Sequence, residues 1–386
     1  MTAHRHRFVL VLLCCPLLLS ATAFGQRIRN DIKIAADATP YDQDIAKFVN
    51  DQVGKLAGGG DAARTARDTL IAEAEGHEGA QATPSYKDLY ARNLSKALMA
   101  VMQNPKPPPL FVKLNIGVVA EGVAHHTANG ELAPIAELLM KEKQPALQLW
   151  GIQTGKHVLP FAKANIAGEI VNTVKNSKAD EAAAGPMADE AYLALTLDPF
   201  KKFDDPQFGP WAQVVYPHLL ALMEYRVGLY AQGAPPPSPF SERRAADLLS
   251  VRGWDLVASK NPKLRSASIQ RVGELACAAL HSIVNSNGSD ENVVAIARSC
   301  GAALDVMGQN LKNPGLTAAG RSIAGVTGTT SPDKLATFCK TLSEELAKAG
   351  VKINDAIGEQ PAADTTGAAD NTPSPTDGNG ADKSGK

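Results

Sequence analysis

The stretch LDPFKKFDDPQFGPW, residues 197–211, sets Asp198, Asp204 and Asp205 among Phe200, Phe203, Phe208 and Trp211 in a proline-broken segment. Aromatic faces beside carboxylates suit a sugar- or peptide-binding cleft, the rings by stacking and the acids by hydrogen bonding. Paired carboxylates also serve glycoside hydrolysis where a cleft separates them suitably. The competing reading is packing, with the rings plugging a gap between two helical halves. Aromatic side chains are more often spent on packing, so that reading leads. Phe200, Phe203, Asp204, Asp205, Phe208 and Trp211 stand as the candidate binding residues, and no catalytic residue is assigned.

Other chemistry-bearing patterns are weaker. GLTAAGRS, residues 315–322, approaches a phosphate-binding loop, with Gly315, Gly320 and Ser322 at matching places. Arg321 stands where that motif needs lysine, and no strand precedes it, so a Gly-rich connection between helices is expected. Glu121 and His125 lie one helical turn apart and His126 follows. No third ligand and no H-E-x-x-H accompany them, so neither a metal nor any cofactor is expected. His157 and His218 are isolated, and no G-x-S-x-G occurs.

The elements that must position these residues are helices. Val272, Leu275, Ala276, Ala279, Leu280 and Ile283 follow the three-four spacing of a one-sided stripe, as do Ile45, Phe48, Val49, Val53 and Leu56. Thr39-Pro40 and Thr83-Pro84 mark starts, and Gly58 and Asn129-Gly130 mark stops. The pattern predicts helices over 40–57, 61–75, 84–104, 110–128, 131–142, 145–158, 162–177, 180–197, 208–231, 241–259, 263–286, 290–311 and 332–350. No segment alternates at period two, so the fold class is all-α.

The chain begins with basic His4, Arg5, His6 and Arg7, an apolar run from Phe8 to Leu19, and Ala21-Thr22-Ala23. That is the layout of an export signal cleaved near Ala23, and the run is too short for a permanent membrane anchor. A periplasmic or secreted protein follows, with no integral membrane segment after cleavage. Cys277, Cys300 and Cys339 then remain, which permits one disulfide without demanding it. Small buried hydrophobes is the plainer reading of all three.

The full chain has 39 Lys and Arg against 40 Asp and Glu, a formal net charge of −1. No basic face is concentrated enough to neutralise a run of phosphates, so nucleic acid is not an expected partner. Asp355, Glu359, Asp364, Asp370, Asp377 and Asp382 face only Lys383 and Lys386 in the last stretch. That stretch has no aromatic residue, and residues 355–386 are expected to be a disordered acidic tail.

A helix, a polar or proline-bearing bend and a second helix recur along the first half. LAPIAELLM, KEKQ and PALQLWGIQTG form one such unit. VNDQVGKLAGGGDAARTARDTLIAEAEG (49–76) is another, with Asp61 and Arg64 or Arg67 near its bend. LSKALMAVMQNPKPPPLFVKLNIGVVAEGVA (94–124) is a looser third. Over roughly residues 41–200 the chain resembles HEAT repeats, although Leu147 and Gln148 stand where that family carries arginine. The resemblance implies a stacked α-solenoid whose concave face binds another protein. Ala146, Leu147, Leu149, Trp150 and Ile152 wrap most of their helix, as an inner helix of such a stack requires.

The expected layout is a signal over 1–23, an extension over 24–38, HEAT-like repeats over 39–232 and a Pro-rich linker over 233–240. A helical bundle over 241–354 and the tail complete it. The expected function is a non-catalytic scaffold for a protein partner, of unknown oligomeric state. The alternative is an all-α hydrolase or lyase acting on envelope polysaccharide through residues 197–211.

Overall fold

The structure, a computed structural model, describes residues 27–76, 81–162, 165–177, 181–196, 208–232, 241–250, 254, 258–286, 288 and 290–353. The expected signal, Pro-rich linker and acidic tail lie outside these residues, as do residues 197–207 of the aromatic stretch. Every regular element among the described residues is helical, and no strand occurs. No described helix is long and apolar enough to cross a membrane. The chain divides into two compact units, Met1–Leu132 and Ala133–Lys386, and residues 233–240 fall within the span of the second.

The first unit holds α1 (Asn30–Lys33), a 3-10 turn (Thr39–Tyr41), α2 (Asp42–Gly58), α3 (Gly60–Glu75), α4 (Pro84–Met102) and α5 (Leu110–Thr127). The apolar stripe of α2 is buried as its spacing predicts: Ile45, Phe48, Val49, Val53 and Leu56 all face the core. Helix α2 packs on both α3 and α4, and α5 packs on both α3 and α4. Thr83 caps α4, its hydroxyl accepting from the Tyr86 N–H at 3.3 Å, with Pro84 in the first turn. Gly59 turns the chain between α2 and α3 at φ 78°, a left-handed conformation open to glycine at little steric cost. Two tyrosines on α4 fix its neighbour: the Tyr90 hydroxyl donates to the Leu70 carbonyl at 2.7 Å and that of Tyr86 to the Glu73 carbonyl at 3.3 Å.

The N-terminal segment is tied to this unit by a buried ion pair. Lys33 Nζ meets Glu73 Oε2 at 2.6 Å, with the two side chains 5% and 1% exposed. The Thr83 N–H donates to the Lys33 carbonyl at 2.9 Å and its hydroxyl to the Ala35 carbonyl at 2.8 Å. Removing one partner of a buried pair costs ~3–5 kcal/mol, because the other charge is left without compensation. Four residues of helix and a turn are therefore enough to seat residues 27–38.

The second unit runs α6 (Ala133–Met140), α7 (Pro145–Val158), α8 (Asn165–Asn176), α9 (Glu181–Thr196), α10 (Phe208–Ala231) and α11 (Glu242–Ser250). After a 3-10 turn (Ala258–Lys260) come α12 (Pro262–Asn285), α13 (Glu291–Asn310), α14 (Pro314–Ala324) and α15 (Pro332–Lys348). Packing follows one rule through most of it. Helix α8 lies on α6 and α9 on α7; α10 lies on α8 and α11 on α9; α12 lies on α10 and α13 on α11. Helices on the two sides of residues 233–240 thus pack directly against each other. The last pair reverses order, with α14 on α13 and α15 on α12.

The close crossing of α6 and α7 depends on Gly151. A Cβ there would stand 2.6 Å from the Met140 backbone nitrogen and 3.0 Å from the Ala136 carbonyl oxygen. On α7, Leu147 and Ile152 are buried, Leu149 and Trp150 are half-buried, and Ala146 is exposed. The apolar wrap expected for this helix is therefore partial, and Gly151, Thr154, Gly155 and Val158 supply the rest of its buried face.

One expected connection is a helix. Residues 314–324 form α14, started by Pro314 and by Asn313, whose side-chain oxygen accepts from the Leu316 N–H at 3.0 Å. Gly320 of this helix and Gly308 of α13 serve the contact between the two. A Cβ on Gly320 would stand 2.8 Å from the Gly301 carbonyl oxygen, and one on Gly308 2.6 Å from the Thr317 nitrogen. A Gly-rich sequence of low helix propensity is held helical by that close packing. Of the helix expected over 241–259, α11 (Glu242–Ser250) and residue 254 are helical, Ala258–Lys260 form a 3-10 turn, and residues 251–253 and 255–257 lie outside the described ones.

Candidate functional site

Of the six candidate binding residues, Phe200, Phe203, Asp204 and Asp205 lie outside the described residues. Phe208 and Trp211 open α10, their ring centroids 5.8 Å apart, and Phe208 meets Tyr216 edge-on at 6.5 Å. Phe208 is buried, so its face is already covered by protein, whereas Trp211 keeps part of its surface exposed. At the described end of the stretch, packing accounts for Phe208.

The residues of the phosphate-loop pattern are engaged within the fold. Arg321 Nε pairs with Asp305 Oδ2 at 3.1 Å, and the Ser322 hydroxyl donates to the Ala318 carbonyl at 3.0 Å. The Glu345 carboxylate covers Gly315, where a side chain would strike it. A carboxylate at this helix start is the arrangement that repels a second anion. Glu121 and His125 sit on α5, and His125 and His126 meet edge-on at 5.1 Å. Among the described residues no three of His, Cys, Asp and Glu are grouped to hold a metal ion. Half-burial of His126 lowers its pKa, burial being the largest influence on it.

Cys277 of α12 and Cys339 of α15 form a disulfide, their Cα atoms 5.2 Å apart. The pair locks the last helix of the second unit to α12. Cys300 of α13 is a buried thiol whose pKa burial pushes well up, which disfavours the reactive thiolate.

Two features of the second unit escaped the sequence reading. The first is a buried polar cluster. Arg226 of α10 and Glu242, the first residue of α11, meet at 2.5 Å with side chains 2% and 0% exposed. Tyr192 of α9 and Tyr230 of α10 are buried beside them, and among the described residues neither hydroxyl finds a hydrogen-bond partner. The second Glu242 oxygen is also without one among the described residues. Burial raises the Glu242 pKa to about 7, with Arg226 pulling the other way and Asp189 of α9 adding to the rise. Arg226 keeps its charge, since Glu242 more than offsets the cost of burying the guanidinium. A carboxyl poised near neutrality in a closed core can hold or lose a proton, but no open path to a substrate is seen at it.

The second feature is an open groove of about 450 Å³ between α10 and α12. Pro217, Leu220 and Ala221 form its floor from α10, and Leu264 and Ala267 from α12. Gln213, Asn261 and Lys263 stand around it as polar groups, and Glu224 and Arg271 pair within it at 2.6 Å. Pro217 is a proline inside a helix, the one sequence signal that something interrupts α10 here.

No protein-family model matches this chain, and no curated protein sequence matches it. The class is defined by the fold alone: an all-α protein carrying a disulfide in its second unit and a solvent-open groove.

Proposed function

We propose that this is an exported, non-catalytic scaffold, a HEAT-like α-solenoid that binds another protein on its helical surface. The observation that carries the reading is the packing succession of the second unit. Each helical pair lies on the pair before it, first helix on first and second on second, from α6/α7 to α12/α13. That succession is how repeat proteins bury a continuous core from units too small to bury their own. The first unit supports it too, with α4 on α2 and α5 on α3.

Export is supported by the layout of residues 1–23 and by the Cys277–Cys339 disulfide, since such bonds persist mainly in oxidising compartments. The polysaccharide-cleaving alternative gains nothing from the described residues, because Phe208 is buried and the carboxylates it needs lie outside them.

The test is affinity capture of residues 24–386 from an extracytoplasmic extract of the producing cell, with mass identification and a binding isotherm for the purified partner. Saturable one-to-one binding of a protein supports the scaffold. Turnover of envelope polysaccharide by the purified chain, with no protein retained, would overturn it.

A further inference from the structure

We propose that the core between α9, α10 and α11 holds a bound water molecule, shared by the hydroxyls of Tyr192 and Tyr230 and by Oε2 of Glu242. The site has no residue in common with the α10/α12 groove, so it stands whether or not the chain binds a protein partner.

Three polar atoms come to this place from three helices. Tyr192 is 0% exposed, Tyr230 7% and Glu242 0%. Among the described residues, neither hydroxyl has a hydrogen-bond partner, and nor does Glu242 Oε2. The other Glu242 oxygen accepts from Arg226 Nε. The charges of Glu242 and Arg226 act on both tyrosines, and Tyr230 acts on Tyr192, so the four side chains form one cluster. A buried polar atom without a partner is costly, and native cores hold few of them. Three around a single ion pair are one polar site, lacking only the molecule that joins them.

The chemistry of the cluster selects that molecule. Arg226 opposes a cation and Glu242 opposes an anion, so the guest is neutral. Two phenolic O–H donors and one carboxylate acceptor are a set that water completes. It accepts from Tyr192 and Tyr230 and donates to Glu242 Oε2. About three hydrogen bonds is the usual number for a buried water. A protonated Glu242 is served as well, because water then accepts from the carboxyl and donates to a tyrosine oxygen. The site also lies between layers of the stack. Helix α9 closes one helical pair, and α10 and α11 make the next, so the water bridges successive pairs.

The experiment compares residues 24–386 with Tyr192→Phe, Tyr230→Phe and the double variant, changes that remove an oxygen and keep the ring. Each single change should lower the folding equilibrium constant by about threefold to tenfold, the usual worth of a satisfied hydrogen bond. The double change should cost less than the two single losses combined, since both hydroxyls hold the same water. Tyr216→Phe is the control. Its hydroxyl is also buried without a partner among the described residues, but burial alone raises its pKa and no charged group acts on it. That change should leave stability unaltered or raise it. Oxygen-17 relaxation dispersion of solvent water should show one long-lived molecule in the parent that the double variant lacks. A crystal structure should place it about 3 Å from each of the three oxygens. A gain in stability from Tyr192→Phe or Tyr230→Phe, strictly additive losses, an equal loss from Tyr216→Phe, or a protein group filling that place overturns the assignment.

Discussion

Arg226 and Glu242 meet at 2.5 Å where neither reaches water, sixteen residues apart in sequence and on separate helices. Taking both charges out of water opposes their attraction, and the raised Glu242 pKa records which effect wins. Tyr192 and Asp189 of α9, Tyr230 of α10 and Cys300 of α13 surround the pair electrostatically.

The first prediction is the pH dependence of this pair. The folded Glu242 pKa of about 7 lies above its unfolded value of 4.5. Its stabilising contribution is therefore complete below pH 4.5 and is lost as pH rises through about 7. His218 and His281 work oppositely, because burial lowers their pKa values, so the comparison must be with a variant. Between pH 4.5 and 8, the stability of Glu242→Gln should gain on the parent by on the order of 3 kcal/mol. Urea melts across that range measure it, and a gap that stays constant with pH would sink the idea.

The second prediction concerns helix crossings. Gly151→Ala and Gly320→Ala each place a methyl group against backbone of the facing helix rather than against a movable side-chain end. Each should destabilise by ~1–3 kcal/mol, the usual cost of overpacking. Gly228→Ala meets nothing within 4 Å and should be neutral or slightly stabilising, since alanine favours the helix. Thermal melts that rank Gly228→Ala with the other two would refute the close-crossing account.

Much of this fold is legible in the sequence. The stripe of α2 and that of α12 are three-four patterns, and both helices lie within two residues of expectation, although only α12 has a side-chain cap, from Asn261. Helix α14 is illegible because its residues argue for a loop, and only contact with α13 makes glycine an advantage there. The Arg226–Glu242 pair is hidden for a different reason. Each residue alone reads as a solvated charge, and only tertiary packing brings α10 and α11 together. The α10/α12 groove is likewise a property of two helices and of no single segment, with Pro217 its one local trace.

The third prediction is a thiol count. In residues 24–386, denatured without reductant, one thiol should react with a chromogenic disulfide reagent, and three should react after reduction. Cys277→Ser with Cys339→Ser should lower stability by ~2–4 kcal/mol, since the bond closes a long loop in the unfolded chain. Three reactive thiols before reduction in protein purified under oxidising conditions would show that the bond does not form.

The last prediction separates packing from recognition at the start of α10. Phe208 is 1% exposed and its ring meets those of both Trp211 and Tyr216, so it fills space in the core. Phe208→Ala should cost ~3–5 kcal/mol, as large-to-small changes of buried aromatics do. Trp211 is only partly covered, so Trp211→Ala should cost clearly less. Phe208→Leu, which keeps most of the volume, should recover a large part of the loss, as a core position requires and a stacking subsite for sugar does not. Binding of oligosaccharides by the parent, measured calorimetrically, supplies the independent arm. A Phe208→Ala protein that melts with the parent yet loses glycan binding would refute packing and return residues 197–211 to the centre of the functional question.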